Sequence, residues 1–110
     1  MEKEFEQVVL NIINNAKDAF IERKIKEPEI IITLTNETIT LEDNAGGIPE
    51  NKLYNIFEAY FTTKEEGVGT GMGLYMSKII IEEHFNGKIS ASNTKNGASF
   101  HISLGKQLVV

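Results

Sequence analysis

No cysteine occurs in the 110 residues, which removes disulfides, thiolate metal sites and cysteine nucleophiles from consideration. Positive charge is not in surplus either. The net charge is −5, so no general surface for nucleic acid or anionic membrane is expected, and any bound polyanion must be held by local groups. No apolar run approaches the ~18 residues of a membrane-spanning helix, and Met1-Glu2-Lys3-Glu4 does not read as a signal peptide. A cytoplasmic chain, or the cytoplasmic part of a larger one, is the expectation. Internal repeats and low-complexity tracts are also lacking. What remains is an ordinary globular balance, 41% hydrophobic and 25% charged, at the size of one domain able to bury a core.

Against that background one stretch stands out, Gly67-Val68-Gly69-Thr70-Gly71-Met72-Gly73-Leu74. Four of the nine glycines fall here at every second position. Alternating glycine makes a poor strand, because one face has nothing to pack. It suits a loop whose backbone approaches something closely. An apolar helix follows from about Leu74 to Phe85, and a helix entrance offers unpaired N–H groups and a dipole that favours an anion. A phosphate is the natural candidate. A Lys-Ser or Lys-Thr pair of the P-loop kind does not follow, since Met72-Gly73-Leu74 stands there.

The first 24 residues read as one helix from about Lys3 to Lys24, with Val8, Val9, Ile12, Ile13, Ala16, Ala19 and Phe20 on a broad apolar face. Asn11, Asn15 and Asp18 lie at i, i+4 and i+7 and form one stripe. Such a stripe is commonly just the wet side of an amphipathic helix. Yet Asn and Asp cost roughly half a kcal/mol each relative to Ala in a helix, and the solvated residues one turn later are Glu22, Arg23 and Lys24. Paired carboxamides in an apolar segment suggest fixed oxygen ligands. Mg²⁺ takes oxygen ligands while bridging nucleotide phosphates, and Asn15 is the leading candidate for it.

Pro28 ends the helical stretch. Ile30 to Leu34 and Thr38 to Asp43 read as two strands around Thr35-Asn36-Glu37. Alternation in the second puts Ile39, Leu41 and Asp43 on one face, the core side. Asp43 is then either an ordinary turn residue where the strand frays before Ala45-Gly46-Gly47, or an acceptor at the floor of a pocket. Burying a carboxylate is costly unless donors reach it. Phe57, Tyr60 and Phe61 are too many aromatics for an exposed loop and suit a satellite core beneath a mobile segment. Asn86-Gly87 supplies a helix stop, and Lys88 to Asn93 and Ala98 to Leu104 form a closing hairpin around Lys95-Asn96-Gly97. His84 and His101 read as structural residues. The expected fold is α/β (α+β), a two-layer sandwich of about four strands in a mixed, mostly antiparallel sheet with helices on one face.

The segments Asn11–Ala19 (NIINNAKDA), Asp43–Pro49 (DNAGGIP), Ile56–Lys64 (IFEAYFTTK) and Gly69–Leu74 (GTGMGL) occur in that order. They resemble the N, G1, F and G2 boxes of the GHKL (Bergerat) ATP-binding fold. Within it they look most like the catalytic ATP-binding domain of sensor histidine kinases. The likeness runs from residue 5 to residue 104.

That resemblance implies ATP and Mg²⁺ as cofactors, and γ-phosphate donation to a histidine on a separate dimerisation domain. It gives Asn15 the Mg²⁺, Asn11 the phosphate end of the same helix face, and Asp43 the adenine amino group, with guanine rejected. Asp18 falls at a position that varies between kinase subfamilies. Gly47 would let the backbone approach the base and Ile48 would wall it. Gly69, Thr70, Gly71, Gly73 and Leu74 would wrap the phosphates, and Lys64 in a short lid, Thr62 to Val68, would add a point charge. No catalytic nucleophile or base is assigned. Ala45 stands where the family often has glycine. The resemblance further implies that the dimerising helical hairpin with its phosphoacceptor histidine, and a strand and helix before the N box, lie outside residues 1–110. Expected partners are that histidine domain of the same or a sister chain, a response regulator indirectly, and a second copy of the chain. The alternative is an ATPase or conformational switch of chaperone or mismatch-repair type. Asn11 stands where those relatives need an acid, which favours the kinase.

Overall fold

A computed structural model of the chain describes residues 2–59 and 72–104. Helix α1 (Glu2–Glu22) is followed by strands β1 (Ile30–Leu34) and β2 (Thr38–Asp43), a single 3₁₀ turn (Glu50–Lys52), helix α2 (Gly73–Ile79) continuing into a π-helical turn (Ile80–His84), and strands β3 (Lys88–Asn93) and β4 (Ala98–Ser103). The strand order is β1-β2-β4-β3. Every pairing among the described residues is antiparallel, in keeping with the mostly antiparallel sheet expected from the sequence.

The register settles which residues share a face. Leu41 pairs with Phe100 and Ile39 with Ile102, while Ile89 pairs with Ile102 and Ala91 with Phe100. These side chains meet Val8 and Ile12 of α1, and Ile80, Ile81 and Phe85 behind α2, in one core. Phe5 and Phe57 close two of its margins edge-on, against Phe85 at 5.8 Å and Phe100 at 6.2 Å between ring centres, the geometry that aligns ring edge with ring face. The opposite face of the sheet is mostly polar, with Thr40, Glu42, Ser90, Ser99 and His101 and Ile31 on its β1 edge. There His101 bridges the hydroxyls of Thr40 and Ser99, which fits its expected structural role. His84 pairs with Glu4 at 2.6 Å and ties the π turn to the start of α1.

Three local features were not foreseen. β1 lies at the sheet edge with Ile31, Ile32 and Leu34 49%, 48% and 69% exposed. The β-branched pattern identifies a strand but not its place in the sheet order. α2 widens into a π turn whose end closes from the Gly87 N–H to the Ile81 carbonyl at 2.8 Å. Asn86 sits there at φ 53°, a conformation asparagine tolerates. At the end of α1, the Ile25 N–H donates to the Phe20 carbonyl (3.0 Å) and the Lys24 N–H to that of Ile21 (3.2 Å). With Lys24 at φ 55°, this is a Schellman ending with lysine where glycine is usual. A left-handed non-glycine residue costs about 1–2 kcal/mol, which glycine recovers in part after its larger entropy loss. Lys24→Gly is therefore expected to stabilise the fold by about 0.5–1 kcal/mol. Urea denaturation reads this out, and an unchanged or lowered midpoint would contradict the assigned ending.

Candidate functional site

β2 runs straight through Asp43, so the strand does not fray there. The Asp43 side chain nevertheless acts as a turn residue. Its Oδ1 accepts the Ala45 N–H at 2.9 Å and the Ala98 N–H at 3.2 Å. Of the two alternatives drawn from the sequence, the turn role is met without any fraying of the strand. The other carboxylate oxygen, Oδ2, accepts no hydrogen bond from a described residue. Gly97 passes directly beneath. A Cβ there would lie 1.9 Å from the Asp43 carbonyl oxygen, so only glycine permits the β3–β4 turn to come this close.

The loop that follows is held on several sides. Asn44 clamps residues 27–29, donating to the Glu27 carbonyl and accepting from the Glu29 N–H, both at 2.9 Å. Asn93, at the end of β3, grips Ile48 in the same two-handed way, at 2.8 Å from its N–H and 2.6 Å to its carbonyl. The Gly46 N–H donates to the Asn96 carbonyl at 3.0 Å. Gly46 and Gly47 have φ of +100° and +82°. Ala45, buried at 2% exposure, has ordinary backbone, so alanine in place of the family's frequent glycine causes no strain. Nη1 of Arg23 donates to the carbonyls of both Ala45 (2.7 Å) and Gly47 (2.8 Å). The sequence had grouped Arg23 with solvated residues; the residue is indeed exposed, but its guanidinium is also tied to this loop. Arg23, Asn93 and Gly97 were missed because their targets are backbone atoms distant in sequence, which side-chain periodicity does not reveal.

Midway along α1, Asn11 is fully engaged. Its amide donates to the Gly73 carbonyl at 3.1 Å and to Ser77 Oγ at 3.0 Å, and its oxygen accepts from Gln7 at 2.8 Å. Asn11 thereby fixes the entrance of α2, with Ser77 fully buried beneath it. Gly73 is helical, and a Cβ on it would meet Asn11 only at ordinary contact, 3.7 Å and beyond. Leu74 packs on the core. Asn15 and Asp18 are half-buried on α1, and Gly47 and Ile48 are half-buried in the loop. Lys64, Gly69, Thr70 and Gly71, with Tyr60, Phe61 and the lid Thr62 to Val68, lie outside the described residues. Among the described residues no three His, Cys, Asp or Glu side chains gather. A groove of about 430 Å³ between Phe57 and Tyr75, Lys78 and Ile79 contains none of the predicted nucleotide contacts.

An acid at the end of an inward strand row, a double-glycine loop after it and an asparagine-bearing helix across the sheet define an ATPase-type sandwich. The chain belongs to the histidine kinase-, DNA gyrase B- and HSP90-like ATPase family, whose model matches residues 1–108. Its relatives point to the histidine kinase branch. It is 34% identical over 108 residues to the two-component sensor PprA of Pseudomonas aeruginosa, covering 92% of this chain and 12% of that protein. It is 37% identical over 106 residues to sporulation kinase E of Bacillus subtilis, covering 92% of this chain and 14% of that one. The catalytic domain of histidine kinase ThkA superposes with a TM-score of 0.76 at 31% identity, over 94% of this chain and 68% of that domain. The chain is thus a catalytic domain of histidine kinase type that spans a small part of the curated relatives.

The contact beneath Asp43 gives a direct check. Gly97→Ala forces a Cβ into the Asp43 backbone and is expected to cost about 3 kcal/mol or more. An unchanged urea midpoint would contradict the close approach.

Proposed function

We propose that the chain binds Mg-ATP and presents its γ-phosphate to a histidine on a separate dimerisation domain, as in two-component signalling. The observation that carries this reading is the divided Asp43 carboxylate. One oxygen is fixed by two backbone donors, so the other is held in place as an acceptor at the end of the apolar row. An exocyclic amino group is the complementary donor. Adenine supplies it, and guanine would set a carbonyl against the acid. The Gly46-Gly47 backbone lets a flat base approach, and Ile48 offers it an apolar wall. Asn15 provides a hard oxygen donor on the helix that also braces the entrance of α2, which suits Mg²⁺.

Bound Mg-ATP would supply the transferable phosphoryl group together with neutralisation of its charge. The chain's own part is positioning, a main lever in phosphoryl transfer: Asp43 and its loop orient the base, and α1 with the α2 entrance orients the phosphates. The attacking nucleophile would be the histidine of the partner domain, and a response regulator would follow downstream. The lid, with Lys64 and the glycines at 69 and 71, would close over the phosphates. Asn11 supports a kinase over the switch-type ATPases, because a carboxamide tied to Gly73 and Ser77 offers no base for water.

Asp43→Asn is the sharpest test. It keeps an oxygen for Ala45 and Ala98 while turning the second position from acceptor to donor. Calorimetry with Mg-ATP is expected to show at least ~100-fold weaker binding at a nearly unchanged melting temperature. Equal affinity in variant and wild type would sink the adenine assignment. Asn15→Ala should weaken ATP binding in Mg²⁺ far more than in EDTA, and equal weakening in both would remove it as the metal ligand.

A further inference from the structure

We infer that Arg23 is a positioning residue for the base end of the site, acting through the backbone of the loop from Ala45 to Gly47. Its location follows from the end of α1. The Schellman turn with Lys24 left-handed leaves Arg23 as the last residue of near-helical geometry, and its side chain reaches across to the loop. There one nitrogen meets two carbonyls, of Ala45 at 2.7 Å and of Gly47 at 2.8 Å. Two carbonyl dipoles converging on one point repel unless a cation lies between them. Arg23 forms no ion pair with a described carboxylate, so this charge serves the loop rather than an acid. The residue between the two carbonyls is Gly46 at φ +100°. A Cβ on it would sit 2.7 Å from the same guanidinium nitrogen. Glycine at 46 and arginine at 23 therefore fit each other. Glycine allows the backbone to turn both carbonyls one way, and arginine makes that turn favourable.

Arg23 touches the loop on the Ala45–Gly47 backbone, whereas Asp43 faces the proposed base. Without Arg23 the loop has other shapes open to it, and the nucleotide must select the one in which Gly47 and Ile48 frame the base. Apparent affinity then falls by the fraction of loops already in that shape. The inference rests on the nucleotide reading above, and its test separates the two.

The test uses the full 110-residue chain with Mg²⁺ and two titrants, ATP and inorganic tripolyphosphate. Arg23→Ala is expected to weaken ATP on the order of tenfold, the loss associated with hydrogen bonds from a charged donor, and to leave tripolyphosphate within about twofold. Arg23→Lys, which keeps a cation able to reach one carbonyl, should recover most of the loss. The amide resonances of Gly46 and Gly47 should shift in ligand-free Arg23→Ala while those of β4 remain in place. Should Arg23→Ala not fold, Arg23→Gln carries the same comparison. ATP affinity unchanged in the variants, or ATP and tripolyphosphate weakened equally, overturns the role of Arg23 while leaving nucleotide binding intact. Failure of the wild type to bind ATP overturns both.

Discussion

One carboxylate oxygen holds the end of β2, the start of β4 and the loop beyond β2 to one another. Oδ1 of Asp43 receives N–H groups from Ala45 and Ala98, and Gly97 brings the closing hairpin near enough for the second of these. A charged acceptor with two backbone donors is among the stronger polar arrangements available to a small domain. Because it is divided, with one oxygen structural and one directed elsewhere, the residue proposed to read the base cannot turn away without breaking the sheet margin. Geometry that a ligand would otherwise have to induce is imposed by folding.

The rest of the loop is held by side-chain to backbone bonds from sequence positions far apart: Arg23 at the end of α1, Asn44 within the loop and Asn93 at the end of β3. Such bonds satisfy carbonyls and amides that no helix or strand can pair. They also spread responsibility for the loop over three elements. The end proposed for the phosphates is built differently. There a single residue, Asn11, joins α1 to the entrance of α2, backed by Ser77 and by the apolar contacts of Val8, Ile12, Ile80 and Ile81.

Much of the fold was legible from local periodicity. The alternation of Thr38 to Asp43 gave the facing of Ile39, Leu41 and Asp43, and the apolar stripe from Val8 to Ala16 gave the buried side of α1. Asn86-Gly87 gave the stop after α2. Each depends on neighbours within a turn or a strand pair, which sequence records directly. The edge position of β1 was not legible, because strand order is decided by which elements cover the sheet and not by the composition of Ile30 to Leu34. The π turn was hidden because its residues are ordinary helix formers. For the proposed site, the motif order pointed to Asp43, Asn15 and the glycines, but not to the groups that hold Asp43 and its loop. Arg23 looks like any charged residue at a helix end until the chain has folded the loop against it.

α1 consequently acts as a ruler. Asn11 fixes α2 at the middle of the helix and Arg23 fixes the loop just past its C-terminal end, a dozen residues along, or about 18 Å at the usual helical rise. Both contacts are angular as well as axial. Inserting or removing one residue between them would turn one grip by about 100° about the helix axis relative to the other, so only one end of the site could remain assembled. The spacing is thus quantised. Substitutions within α1 can be gradual, but changes in its length cannot, and descendants of this domain should vary in the residues of this helix while keeping their number.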